Sequence, residues 1–288
     1  MKDLNHQLMK LCRLNRDGSF STQATRSRIL DLTANQLHAL GFRHMQPSSL
    51  KPKHVNALIA HWQEQGISVG TLKNRLSALR WWAKKVNKPS IIAKDNSVYG
   101  IGKRKYVVRE SKAQDLDDKK LSEISDPYVR LSMRLQAVFG LRREESIKFN
   151  PTYAMQDNHI QLKSSWTKGG RARTVPITNG EQRRLLNEVK AFVKGGSLIP
   201  AQLNYVQQLH RYERQLRNAA ISKLHGLRHA YAQRRYEELT GWRAPVAGGP
   251  ASDALTTDQR ALDKKARATI SSELGHNREA ISAVYLGR

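Results

Sequence analysis

Seven side chains from residue 142 onward are of types that together handle a phosphate: Arg142, Lys168, His225, Arg228, His229, His276 and Tyr285. Arginine presents a planar fork of N–H donors matched to phosphate oxygens. Histidine and lysine move protons. Tyrosine is a possible covalent nucleophile. Its ordinary pKa is about 10, so cationic neighbours are needed to favour the phenolate. Attack on phosphorus places new charge on nonbridging oxygens, where an arginine pair stabilises it. That scheme requires no metal and no cofactor.

Taken singly, each residue has a plainer reading. Arg142 follows a helix-breaking glycine in GLRREESIKF, and Glu145 can pair with Arg142 or Arg143. That alone is a surface ion pair. Lys168 sits at the tip of a hairpin in SSWTKGGRARTVPI, one basic turn residue among many. In LHGLRHAYAQRR, His225, Arg228 and His229 fall at i, i+3 and i+4 and share a helical face. Two histidines at that spacing suggest a metal site, but no H-E-x-x-H pattern is present and the intervening arginine repels a cation. An anion suits the face better. Tyr285 lies on a stripe with Ile281, after a capping candidate at Asn277, and by itself is an aromatic anchor for a last turn.

The elements that must position these residues are mostly helical. Apolar residues recur at helical spacing over 19–39 (Ile29, Leu30, Leu32, Leu37), 51–65 (Val55, Leu58, Ile59, Trp62) and 69–86 (Leu72, Leu76, Leu79, Trp82). These predict a small all-helical domain over residues 1–90. Residues 91–112, with Gly100, Gly102 and the basic run Lys103 to Lys105, read as a linker between domains. A second domain, 113–288, is predicted to hold helices at 127–139, from Arg142, and at 180–193, 203–220, 225–239, 257–274 and 278–286. Two short strands, 159–163 and 173–177, flank the KGG turn. The fold class is therefore mainly α with a small β-sheet. No βαβ repeat, GxGxxG or GxxxxGK[ST] is present, so a dinucleotide fold or P-loop ATPase has no support.

Charge points to the partner. Fifty Lys and Arg oppose 24 acidic residues, a formal net charge of +26. Residues 1–110 hold 20 basic and 6 acidic residues, and the remainder 30 and 18, so the excess belongs to both halves. A polyanion touched by both is the simplest partner. There is no apolar run long enough to span a membrane and no signal-peptide pattern at the first residues. The one cysteine, Cys12, excludes an internal disulfide and a cysteine-based zinc cluster. A cytoplasmic, nucleoid-associated location is expected.

Together, in this order, the motifs resemble those of the tyrosine recombinase (phage-type integrase) family. The resemblance rests on Gly140–Leu141–Arg142 with Glu145, and on Lys168 before Thr174–Val175–Pro176. It continues through His225, Leu227, Arg228 and His229, then Leu274–Gly275–His276, and Tyr285 nine residues after that histidine. It implies a SAM-like helical core-binding domain followed by an α+β catalytic domain. It further implies that Tyr285 attacks the scissile phosphate and that Arg142, Arg228 and His276 bind nonbridging oxygens. Lys168 would protonate the leaving 5′ oxygen and His225 would assist, with Glu145 and His229 in supporting roles. The implied activity is cutting and rejoining duplex DNA at a specific site through a 3′-phosphotyrosine and a Holliday junction. The implied assembly is a tetramer on two DNA sites that associates weakly without DNA. Rival readings are a type IB topoisomerase-like enzyme and a non-catalytic DNA-binding protein of the same fold. Candidates for DNA contact are Lys73, Arg75, Arg80, Lys84, Lys103, Arg104, Lys105, Arg171, Arg173, Arg211, Arg214 and Arg217. The 47 residues from His229 to His276 exceed what a compact member needs, and the surplus centres on 240–266. This insertion, read as a DNA-contacting loop, a partner contact or inert surface, leans the reading toward a mobile-element enzyme.

Overall fold

The computed structural model describes residues 3–104, 107–108, 110–276 and 282–288. It divides into two compact units, Met1–Lys105 and Tyr106–Arg288. Among the described residues the fold is mainly α with one two-stranded sheet, as the periodicity predicts. No described helix is long and apolar enough to cross a membrane.

The first unit is built from α1 (Asp3–Leu14), α2 (Phe20–Ala39), α3 (Pro52–Glu64) and α4 (Val69–Lys85). Ser19 and Ser68 cap α2 and α4 by accepting from the backbone N–H of Thr22 and Thr71. Trp62 and Trp82 fill the core, and each indole N–H is satisfied, by Gln36 Oε1 at 2.8 Å and Pro47 O at 3.0 Å. Helix α1 has no counterpart among the helices that periodicity predicts. Its buried stripe is Leu4, Asn5 and Leu8, and the central Asn5 donates to Asp31 Oδ1 at 2.7 Å, so a polar residue interrupts the apolar signal. Leu32, counted in the α2 stripe, is exposed.

The stretch read as a linker splits at the unit boundary. Its first part packs on α4: Ile92 and Ile101 are buried in the helical core, and Arg80 donates to Ala93 O and Asn96 Oδ1 at 2.7 and 2.8 Å. Arg104 donates to Gly70 O and Asn74 Oδ1, both at 2.8 Å. Two buried isoleucines, Ile92 and Ile101, anchor this first part.

The second unit runs α5 (Asp118–Ser122), α6 (Pro127–Phe139), α7 (Arg143–Ile147), α8 (Pro151–Ala154), β1 (His159–Leu162), β2 (Arg173–Pro176), α9 (Gly180–Val193), α10 (Tyr205–Asn218), α11 (His225–Thr240), α12 (Thr257–Glu273) and α13 (Ala283–Leu286). The strands pair antiparallel, His159 opposite Pro176 and Leu162 opposite Arg173. Alternation turns Ile160, Leu162 and Val175 into the core, where residues of α6, α9, α11 and α12 meet them. A second cluster surrounds Tyr212 of α10, whose hydroxyl accepts from Gln136 Nε2 at 2.8 Å. The proposed cap Asn277 and stripe residue Ile281 lie outside the described residues.

Gly140 ends α6 and aims the chain at Arg142. Its φ is +60°, and a Cβ there would stand 2.5 Å from Tyr231 Cδ1. Backbone strain and overpacking therefore act together. Gly140→Ala is expected to lower the unfolding free energy by about 2–4 kcal/mol in denaturant titrations.

Candidate active site

The phenol of Tyr285 is the meeting point of the candidate residues. Its hydroxyl lies 3.4 Å from Arg228 Nε, 3.3 Å from His276 Nε2 and 3.5 Å from His225 Nε2. The His229 ring packs on the Tyr285 ring, centroids 4.6 Å apart. Three elements supply these groups. The first turn of α11 carries His225, Arg228 and His229 on one face. His276 follows α12, and Tyr285 stands on α13.

Arg228 is 1% exposed and satisfied by backbone. It donates to Gly140 O at 2.5 Å and to Leu274 O. Arg142 also donates to Leu274 O, at 3.1 Å. The Gly-Leu-Arg turn and the turn after α12 thus share one carbonyl between two guanidiniums. Burial, then the charge of Arg142, pulls the Arg228 pKa down to about 10, still well above neutrality.

Glu145 is fully buried and accepts four hydrogen bonds. Two come from Arg142, through its backbone N at 2.7 Å and Nη1 at 2.8 Å. Two come from Arg173, Nη1 at 2.6 Å and Nη2 at 2.7 Å. Burial works against the Glu145 carboxylate, but the Arg173 hydrogen bonds and charge, with Arg142 and Arg228, hold its pKa down to about 2. The pairing with Arg142 matches one of the two expected options. Arg143 instead pairs with Glu213 at 2.9 Å.

Arg173 needs correcting as a DNA-contact candidate. It is committed bidentately to Glu145 and donates from Nε to Glu273 O at 2.8 Å. Gly275 makes room for it, since a Cβ there would stand 2.9 Å from Arg173 Cδ. Sequence reasoning missed this role because residues 145, 173 and 273 meet only through the tertiary fold. Arg80 and Arg104 are likewise tied to backbone and asparagine oxygens, and Arg211 to Asp126. Arg75 stacks on Trp62, its guanidinium carbon 5.1 Å from the ring centre. Lys84, Lys103, Arg171, Arg214 and Arg217 are exposed, Lys73 is half-buried, and Lys105 lies outside the described residues.

Lys168 is exposed on the β1–β2 connection. With Arg142, Thr167, Arg171, Arg173, Ser272, Gly275 and His276 it lines an open pocket of about 160 Å³. Its charge is felt at His225, whose pKa is lowered by burial first, then by Arg228, Arg142 and Lys168. The His276 pKa is pushed down to about 4 by burial, then by Arg228, Arg142, Arg173 and His225. That of His229 is also pushed down to about 4, by burial, then His225, Lys112 and Arg228. Among the described residues no group of His, Cys, Asp and Glu is arranged to hold a metal ion.

Comparison with known families gives two matches. The model described as phage integrase, N-terminal, covers residues 1–89, and the model described as integrase covers residues 102–234. The chain belongs to the phage integrase (tyrosine recombinase) family. The second match takes in Arg142, Lys168, His225 and Arg228 and stops before His276 and Tyr285. Comparison with curated proteins gave no match. Among solved structures, the integrase fold here is similar to XerH site-specific recombinase bound to a palindromic difH substrate, with TM-score 0.60 and 18% identity over 99% of this chain and 81% of that one. A lambda integrase (75–356) dimer bound to a COC′ core site gives 0.57 and 16% over 98% and 94%. The Tn1549 transposon integrase with circular intermediate DNA gives 0.55 and 15% over 100% and 96%.

The lowered histidine pKa values set a pH dependence. His229 and His276 stay neutral in the folded chain down to about pH 4, whereas free imidazole protonates near 6.5. The unfolded state therefore binds more protons in that window, and stability falls as pH drops from about 6.5 toward 4. Glu145, lowered from 4.5 to about 2, adds a further loss as pH falls from about 4.5 to 2, so that the whole range runs from about pH 6.5 to 2. Denaturant midpoints measured across this range should show both losses, and His276→Gln should flatten the upper one.

Proposed function

We propose that the protein is a site-specific DNA recombinase in which Tyr285 is the nucleophile. The observation that carries this is the convergence of Arg228, His276 and His225 on one phenol hydroxyl, beside Arg142 and Lys168. In the reaction the Tyr285 oxygen attacks the scissile phosphorus. A tyrosyl–3′-phosphate bond forms and the bond to the 5′ oxygen breaks. Arg142, Arg228 and His276 receive the charge that develops on the nonbridging oxygens. Lys168, exposed and on the pocket wall, supplies the proton to the departing 5′ oxygen. His225 takes part in moving the proton from the phenol, and its lowered pKa keeps it neutral and able to accept. Glu145 and His229 hold the arginines and the phenol ring in place.

The covalent bond retains the phosphodiester energy, so a 5′ hydroxyl from a second strand reverses the step without ATP. Exchange between two sites then passes through a Holliday junction. A solved lambda integrase structure is a tetramer bound to such a junction, which supports four protomers acting on two duplexes here. The match of residues 1–89 to a phage integrase N-terminal model favours recombination over topoisomerase-like relaxation. The complete set of candidate catalytic side chains favours an enzyme over a non-catalytic DNA-binding protein. Integration or excision of mobile DNA at a specific duplex site is the role that fits, with the protein at the nucleoid and weakly associated when DNA is absent. The exposed Lys84, Lys103, Arg171, Arg214 and Arg217, with the half-buried Lys73 and with Lys105, are the basic candidates for phosphate contact.

The decisive measurement is covalent capture on a nicked duplex pool of random sequence, followed by sequencing of the trapped DNA. The unaltered protein should yield an adduct on the 3′ phosphate at a shared site. Tyr285→Phe should yield none, and a surviving adduct refutes the assignment. Arg142→Lys should retain DNA binding yet slow adduct formation by roughly a hundred- to a thousand-fold, the usual effect of losing one donor to a developing oxyanion. Light scattering without DNA should show monomer; a stable tetramer would contradict weak association.

A further inference from the structure

Helix α13 has four residues, too few to hold itself in a helix, yet Tyr285 is 4% exposed and Leu286 fully buried. Other elements must fix it. Gln233 of α11 donates to Tyr285 O at 3.0 Å. Arg267 of α12 donates from Nη1 to Gly287 O at 2.9 Å. Arg267 is itself aimed by Asp263, one turn earlier, which accepts from its Nε at 2.8 and 2.9 Å. Asp263 accepts from the buried Tyr236 hydroxyl at 2.5 Å, and that hydroxyl lies 3.3 Å from Trp242 Nε1. Trp242 opens the insertion. Four residues on, Val246 backs onto Gly287, where a Cβ would stand 3.0 Å from Val246 N. The inserted segment is thus the outer wall of the seat in which the tyrosine helix sits.

We propose that Arg267 is a positioning residue for Tyr285, and that the start of the insertion with α12 forms a seat holding the nucleophile in its own protomer's active site. This rests on the reading of Tyr285 as nucleophile. Arg267 touches no reacting atom. It acts on the backbone carbonyl two residues beyond the tyrosine, and so on the direction of the phenol. Misplacing a reacting group by about 1 Å costs on the order of a hundred-fold in rate.

The test separates nucleophile placement from the anion site. Hydrogen peroxide is small enough to replace the phenol: hydroperoxide attacks the same phosphorus and expels the same 5′ oxygen in a Tyr285→Phe protein. On the nicked duplex selected by covalent capture, Arg267→Gln should form the tyrosyl adduct about a hundred-fold more slowly. Peroxide-driven cleavage by Arg267→Gln with Tyr285→Phe should match that of Tyr285→Phe alone. An unchanged adduct rate overturns the proposal. So does a parallel fall in peroxide cleavage, which would make Arg267 a support of the anion site as a whole. Should Arg267→Gln fail to melt cooperatively, Gln233→Leu carries the same comparison, since it removes the tether to Tyr285 O from a half-buried surface position. Mixed Tyr285→Phe and Arg142→Ala protomers should remain inactive; activity restored by mixing requires donation between protomers and overturns the seat. Absence of any tyrosyl adduct from the unaltered protein instead overturns the nucleophile reading beneath it.

Discussion

The buried carboxylate of Glu145 is the constraint on which the candidate site depends. Three guanidiniums, from Arg142, Arg173 and Arg228, bear on one small volume, and Glu145 takes two hydrogen bonds each from the first two. Two unit charges 4 Å apart repel by about 4 kcal/mol at an effective dielectric near 20. Without the carboxylate, the arginine that heads α7 and the arginine on β2 would push apart. With it, α7, β2 and the turn after α12 lock together, because Arg173 also binds Glu273 O and Arg142 binds Leu274 O. The glycines of the motifs are the steric side of the same arrangement: Gly140 clears Tyr231 and Gly275 clears Arg173.

One carboxylate against three guanidiniums leaves the site positive, and the histidines respond by staying neutral. The His276 pKa is pushed down to about 4 by burial and by those arginines, and that of His229 to about 4 by burial, then His225, Lys112 and Arg228. The phosphodiester proposed as substrate would bring the negative charge that this cluster lacks. The free protein therefore presents a cluster of cationic donors already aimed by Glu145 and by two backbone carbonyls. Electrostatic preorganisation of this kind acts without reorganisation during reaction. The phenol of Tyr285 sits against the same donors, held by its short helix and by bonds from α11 and α12.

Much of the architecture was legible because helical periodicity and turn residues are local signals. Helices α2 to α4, α6 and α9 to α12 fall close to their expected spans, and the two strands bracket the expected turn. What local pattern misjudged were the places where polar or glycine-rich chain is held by distant groups. Asn5 hides α1 by putting an amide in the buried stripe. Ile92 and Ile101 pin a stretch whose composition reads as linker. The Arg267–Asp263 pair was visible as an i, i+4 spacing, yet its target, Gly287 O, is 20 residues away.

Residue type, order and spacing determined which groups could do chemistry: the arginines, the hairpin lysine, the histidine face of α11 and a tyrosine nine residues past His276. These are properties of the chain read along its length. Only the tertiary structure decided which charge meets which. Arg173 turned from a DNA-contact candidate into the partner of Glu145, and the insertion's first residues became the wall behind Tyr285. The reason is physical: a buried charge must find its counter-charge and its hydrogen bonds wherever the fold brings them, and sequence distance places no limit on that search.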